Sequence, residues 1–193
     1  MITTTQLKIL EAVKRGKKTV KDIKEDLGIV SQSLVPQYLK VLESKKLIEK
    51  TKIANIHIYQ IQYSNPLVFN YLELHTWDIL SQEVRIFLIK ITQVIHVPIL
   101  IYGSYAKKTN TRNSDLDIAI ISSNKKNIET KLEDILLSTP LKIDIHIISP
   151  KELKTMIVAA YENLGKEIVR NNLPVSNSRE FYHITLDKFG DRP

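Results

Sequence analysis

Apolar positions in the first 62 residues recur every three or four places and then switch to every two. Leu7, Leu10 and Val13 form one helical stripe, opened by a cap among Thr3, Thr4 and Thr5 and closed by Gly16. Thr19 caps a second stripe of Val20, Ile23 and Leu27 that ends at Gly28, and Ser31 or Ser33 opens a third with Leu34, Tyr38 or Leu39, Val41 and Leu42 inward, running out near Lys46. Alternation then predicts two strands, Leu47 to Lys50 and Ile56 to Ile61, with Thr51 to Asn55 as the turn. Asn65-Pro66 interrupts the chain, because a residue before proline avoids the helical region. From Leu67 through Tyr71, Leu74, Trp77 or Ile79, Leu80, Val84, Phe87, Leu88, Ile91 and Ile95 the helical period returns, as one long helix or two short ones.

Beyond Val97 the pattern is that of an α/β (α+β) domain. Pro98 to Tyr102 is a short apolar strand running into Gly103-Ser104, Leu116 to Ile121 a second strand, Asn127 to Leu137 a helix and Leu141 to Ile148 a third strand. Ser149-Pro150-Lys151-Glu152 starts a long helix, with serine as cap and proline in its first turn. The stretch 171–193 is poorly patterned and reads as a strand or tail against the domain surface rather than as substrate contacts from Arg179, Tyr182 and His183. The domains expected are therefore 1–62, a helical connector over 63–96, and 97–193.

Three helices followed by a hairpin is the order of a winged helix-turn-helix. Leu27-Gly28-Ile29-Val30-Ser31-Gln32-Ser33-Leu34-Val35, with Leu39-Lys40-Val41-Leu42-Glu43, resembles the turn and recognition helix of winged-helix transcription regulators. The resemblance implies that Gln32, Ser33, Gln37 and Lys40 face duplex DNA, with Lys50, Lys52 and His57 near the wing. Pro36 departs from the usual small polar residue; it is harmless if Ser33 is the cap and bends the helix if Ser31 is.

Charge sharpens this picture. Of the 193 residues, 28 are Lys or Arg and 21 Asp or Glu, a net charge of +7. Residues 1–62 hold 12 basic and 6 acidic side chains, whereas the remainder is nearly neutral. A basic first third suits a polyanion, and equally suits a solvated lysine-rich surface. The absence of cysteine excludes a disulfide scaffold, a thiolate zinc site and a cysteine nucleophile. No basic leader precedes an apolar core, and no run approaches the roughly 18 apolar residues of a membrane span. A cytoplasmic protein with no membrane partner is expected.

Chemistry concentrates after Tyr102. Gly103-Ser104 leaves a strand at a tight turn, where backbone amides and a hydroxyl can meet phosphate oxygens. Asp115 and Asp117, two apart on a strand, share a face, while Leu116, Ile118 and Ile120 take the other. Asp144 stands between Ile143 and Ile145, where a lone carboxylate is costly unless paired or metal-bound. Three such acids can hold two divalent cations about 3.5–4 Å apart around a triphosphate.

The block Gly103-Ser104-Tyr105-Ala106-Lys107-Lys108-Thr109-Asn110-Thr111-Arg112-Asn113-Ser114-Asp115-Leu116-Asp117 closely resembles the signature of polymerase-β-like nucleotidyltransferases, above all the minimal prokaryotic ones. That resemblance implies Mg2+ or Mn2+ held by Asp115, Asp117 and the catalytic Asp144, and an NTP, ATP first, held by Gly103, Ser104 and Lys107. It also implies a protein or nucleic-acid hydroxyl as acceptor, such as a small helical toxin partner. Relatives often carry Ala-Arg-Gly where this chain has Ala106-Lys107-Lys108, which keeps a charge and loses a glycine. The connector, with its aromatic residues, reads as packing between domains or between the subunits of a homodimer. Two rivals stand beside the enzyme: a regulator that senses nucleotide without chemistry, and an antibiotic-modifying nucleotidyltransferase.

Overall fold

The computed structural model describes residues 2–29, 31, 33–111 and 113–186. The chain divides between His75 and Thr76 into two compact units.

The first unit opens with α1 (Thr4–Lys14), α2 (Val20–Leu27) and α3 (Leu34–Ser44). Thr3 and Thr19 each build a capping box, with Gln6 and Asp22 returning the bond to the cap's own N–H. Gly28 ends α2 in the left-handed region at φ 62°, which a glycine adopts without steric cost. Ser33 is the cap residue of α3, although its side chain makes no capping bond, so Pro36 falls in the first turn and α3 runs unbroken. Val35, Leu39 and Leu42 bury its inner face; Val41, expected inward, is 37% exposed. Leu10, Ile23, Leu39, Leu42, Leu47 and Ile48 are fully buried, each worth about 1.5–3 kcal/mol of transfer free energy. The hairpin is longer than the alternation predicts. β1 (Ile48–Ile53) and β2 (Ile56–Ile61) pair antiparallel from Ile48↔Ile61 to Ile53↔Ile56, leaving Ala54-Asn55 as the turn, with Ala54 at φ 52°. Thr51 to Ile53 are thus strand, because pairing supplies what their local pattern lacks. Gln32 lies outside the described residues; Ser33, Gln37, Lys40, Lys50, Lys52 and His57 are all exposed.

The 67–96 stretch is two helices, α4 (Leu67–Ile79) and α5 (Gln82–Val94), separated where Ser81 caps the second through a bond from the Val84 N–H. Leu67 and Leu74, two of the residues at helical spacing, are about half exposed, whereas Val68, Phe69 and Leu72 are buried.

The second unit is built on a four-stranded sheet, order β5-β4-β3-β6, of β3 (Ile99–Ile101), β4 (Leu116–Ile121), β5 (Ile143–Ile148) and β6 (Leu173–Ser176). β4 and β5 are parallel, and β3 is antiparallel to both β4 and β6. α6 (Gly103–Lys107) follows β3, and α7 (Lys125–Leu137) is the crossover between the parallel strands. One face packs Ile99, Ile101, Leu116, Ile118 and Ile120 with Val84, Phe87, Leu88 and Ile91 of α5 and Ile128 and Leu132 of α7. α5 therefore belongs to this core. The opposite face carries Tyr102, Asp117, Asp144 and His146 by alternation.

Two expectations change here. The helix begun at Pro150 is not long: α8 (Pro150–Val158) stops at Ala159, and Asn163 caps a separate α9 (Leu164–Arg170). Gly165 permits this fold-back, since a Cβ there would stand 2.4 Å from that of Met156. The poorly patterned end supplies a strand, as expected, at the sheet edge as β6, but then a helix, α10 (Ser178–Leu186), which local pattern did not announce. Tyr182 is buried and donates to the Asn172 side chain at 3.2 Å, so it packs rather than binds. Among the described residues no helix is long and apolar enough to cross a membrane.

Candidate active site

Asp117 and Asp144 are Cα partners in the parallel β4–β5 register, so their side chains emerge side by side. Asp115 precedes β4 on the exposed connection from α6. The short β3 delivers Gly103 against the same spot: its φ is 62°, and a Cβ there would lie 2.0 Å from Asp117 Oδ2. Glycine is thus required twice, by backbone conformation and by the approach of the carboxylate. The Ser104 N–H donates to the Asp117 carboxylate, and the Tyr102 N–H to the Asp117 carbonyl at 3.0 Å.

Burial and neighbouring acids raise two titratable groups at this corner. Burial pushes the Asp117 carboxyl above its ordinary range, the neighbouring Asp144 adds to the rise, and Asp115 and Glu167 add more; the Ser104 amide opposes them. Tyr102 is also pushed up, first by burial and then by Asp117, Asp144 and Glu167, so its hydroxyl stays protonated. That hydroxyl meets His146 Nδ1 at 2.9 Å, and the same nitrogen lies 3.7 Å from Asp144 Oδ1.

Sequence reasoning missed Tyr102, His146 and Glu167. The first two had a signal: Tyr102 adjoins Gly103, and His146 shares a strand face with Asp144, two residues on. Glu167 had none, because only the return of α9 brings it in. Its carboxylate holds Lys107 Nζ at 2.6 Å, so the lysine expected at phosphate is engaged with an acid in this structure.

Among the described residues no three His, Asp or Glu side chains are grouped closely enough to hold a metal ion. The donors nonetheless fit magnesium in its usual manner, one or two carboxylates completed by substrate phosphates and water rather than a protein cage. The paired Asp117 and Asp144, side by side in the β4–β5 register, are such donors.

Residues 87–173 match the family model described as Polymerase beta, Nucleotidyltransferase. The second unit carries a polymerase-β-like nucleotidyltransferase domain. Residues 3–50 match the model of the bacterial regulatory proteins of the arsR family, so this domain is fused to an N-terminal helix-turn-helix. No curated protein and no solved structure matches the chain. The nucleotidyltransferase match spans β3, α6, β4 and β5, so Gly103, Asp117 and Asp144 fall inside it, as does Glu167. The position where relatives often carry glycine, Lys108, still takes the left-handed conformation, at φ 59° and ψ 32°. The turn geometry survives, at a strain of about 1–2 kcal/mol for a residue with a Cβ.

Proposed function

We propose that the protein is a metal-dependent nucleotidyltransferase, moving a nucleoside monophosphate from an NTP, ATP first, to a hydroxyl of a protein or nucleic acid, and that its winged helix binds duplex DNA. The observation that carries this reading is the pairing of Asp117 with Asp144 beside a Gly103-Ser104 turn whose glycine has no room for a Cβ. Asp115, Asp117 and Asp144 are the residues that would hold magnesium or manganese. Such an ion, when bound with the triphosphate, supplies neutralisation of phosphate charge and acidification of the acceptor hydroxyl.

The chain's own groups do the rest. The Gly103 amide and the Ser104 hydroxyl hold the outer phosphates, joined by Lys107 once it releases Glu167. The two side chains are 45% and 37% exposed, so the exchange costs at most about 1 kcal/mol. Asp144, whose side chain is 56% exposed, takes the acceptor side. The acceptor oxygen bonds to the α-phosphorus, the bond to the leaving pyrophosphate breaks, and the hydroxyl proton passes to the Asp144 carboxylate or to water. The Tyr102 hydroxyl, held protonated, hydrogen-bonds with His146 Nδ1 and steadies the ring beside Asp144. The resemblance to minimal nucleotidyltransferases favours a protein hydroxyl, such as one on a small helical partner.

The test follows label from α-labelled ATP, and then from each other triphosphate, onto co-purified protein or added nucleic acid. Transfer should require magnesium or manganese. Asp144→Asn should keep metal-dependent triphosphate binding while transfer falls by orders of magnitude; Asp117→Asn should lose both. If wild type with its native partners labels nothing and Asp144→Asn changes nothing, the protein is a nucleotide-sensing regulator.

A further inference from the structure

The second unit contains a cavity of about 800 Å³ that the acids do not line. Leu116 and Leu173 form part of its wall, and both belong to the apolar cluster with α5 and α7. It therefore opens on the face of the sheet opposite Asp117, which alternates away from Leu116. The α4–α5 connection and the start of α5 close one side with Leu80 and Val84, and the segments before β4 and β5 bring polar groups to the other.

Those polar groups are what a packing defect would lack. Lys108 and Lys142 both line the cavity, and neither has an ion-pair partner among the described residues. Lys107, one residue earlier, has its own acid in Glu167. Lys108 moreover occupies a left-handed position at φ 59°, where glycine would be strain-free and would bring no charge. A cationic side chain kept at a strained position, beside a concave space, points to a use for that charge. Asn110 and Asn113 add amide groups, and Glu83 is the one acid among the described lining residues. Among the described lining residues, two lysines against one glutamate leave a positive excess that suits a phosphate group. The volume falls within the roughly 300–1,000 Å³ of ordinary small-molecule sites.

We propose that this cavity is a second, metal-independent binding site for a phosphate-bearing molecule of nucleotide size. Lys108 and Lys142 meet the phosphate, Asn110 and Asn113 the sugar or ring polar atoms, and Leu116 and Leu173 the flat apolar body. Ser114 and Leu116 both line the cavity, and Asp115 is the residue between them. Occupancy here consequently bears on the segment that carries an acid of the opposite face. The site does not depend on the transfer reading, because it needs neither the acids nor a metal.

The experiment is calorimetric titration of the full chain with AMP in EDTA, which keeps a metal-dependent acid site out of the measurement. Wild type should bind, and Lys108→Gly and Lys142→Ala should each weaken binding roughly tenfold or more, the loss expected for a charge-assisted bond to phosphate. Lys108→Gly keeps the left-handed turn, so its effect is that of the missing ammonium. Asp117→Asn should leave the affinity unchanged. No binding to wild type in EDTA would overturn the proposal, and so would binding indifferent to both lysine variants. A larger loss in Asp117→Asn than in either lysine variant would place the nucleotide on the acid face and overturn it equally.

Discussion

Replacing Gly103 by alanine tests the geometry on which the active-site reading stands. The added methyl would sit 2.0 Å from Asp117 Oδ2 and 2.8 Å from its Cγ, far inside van der Waals contact, at φ 62°. Asp117 cannot retreat along its strand, because β4 is held between β3 and β5, so its carboxylate must turn and give up the Ser104 amide. The left-handed conformation costs about 1–2 kcal/mol. Reduced freedom of the unfolded chain offsets about 0.4–1 kcal/mol, and the lost charged hydrogen bond adds about 1.5–3 kcal/mol. A net loss of about 2–4 kcal/mol is expected for the second unit. Trp77, the only tryptophan, reports on that unit by fluorescence, since its indole N–H donates to the Val175 carbonyl at 3.0 Å. Lys108→Gly, at a similar φ in the same unit, calibrates the conformational part and should gain stability. Urea unfolding of both variants then isolates the clash. The reasoning is refuted if Gly103→Ala loses no more than Lys108→Gly gains, or if metal-dependent triphosphate binding survives Gly103→Ala at full strength.

Other consequences are independent of that corner. Glu152 at the start of α8 has its carboxyl pulled down to about 2, first by the Ser149 N–H and then by its bond to Lys125. Folding favours the carboxylate, so its contribution is fully present above the ordinary value of 4.5 and is lost as pH falls toward 2. Stability of wild type should accordingly fall faster than that of Glu152→Gln across this window in Trp77-monitored unfolding; parallel pH profiles would contradict it. On DNA, duplex affinity of the full chain should drop steeply with salt, and Lys40→Ala and Lys52→Ala should each reduce the log–log slope by about one unit. An unchanged slope in both variants would remove these lysines from the interface.

Much of this architecture was legible along the chain. The caps at Thr3, Thr19 and Ser149, the ends of β4 and the acids of its signature are local features, set by neighbours three or four residues away or by alternation within one strand. Local pattern also marks Gly103-Ser104 as the point where β3 ends, although the chain there enters the short helix α6 rather than a simple turn. What local pattern cannot contain is the energy of contacts between distant segments. The extra strand length at Thr51 to Ile53 comes from pairing with β2, and β6 exists because the edge of β3 needs a partner. The fold-back of α9 at Ala159 depends on Gly165 fitting against Met156. Only that fold-back sets Glu167 on Lys107, and only the parallel register puts Asp144 level with Asp117. The sequence by itself marked the candidate acids and the Gly103-Ser104 pair, because each motif is short. Tertiary structure decided which of them meet and which lysine is already taken, because those outcomes depend on packing between elements dozens of residues apart.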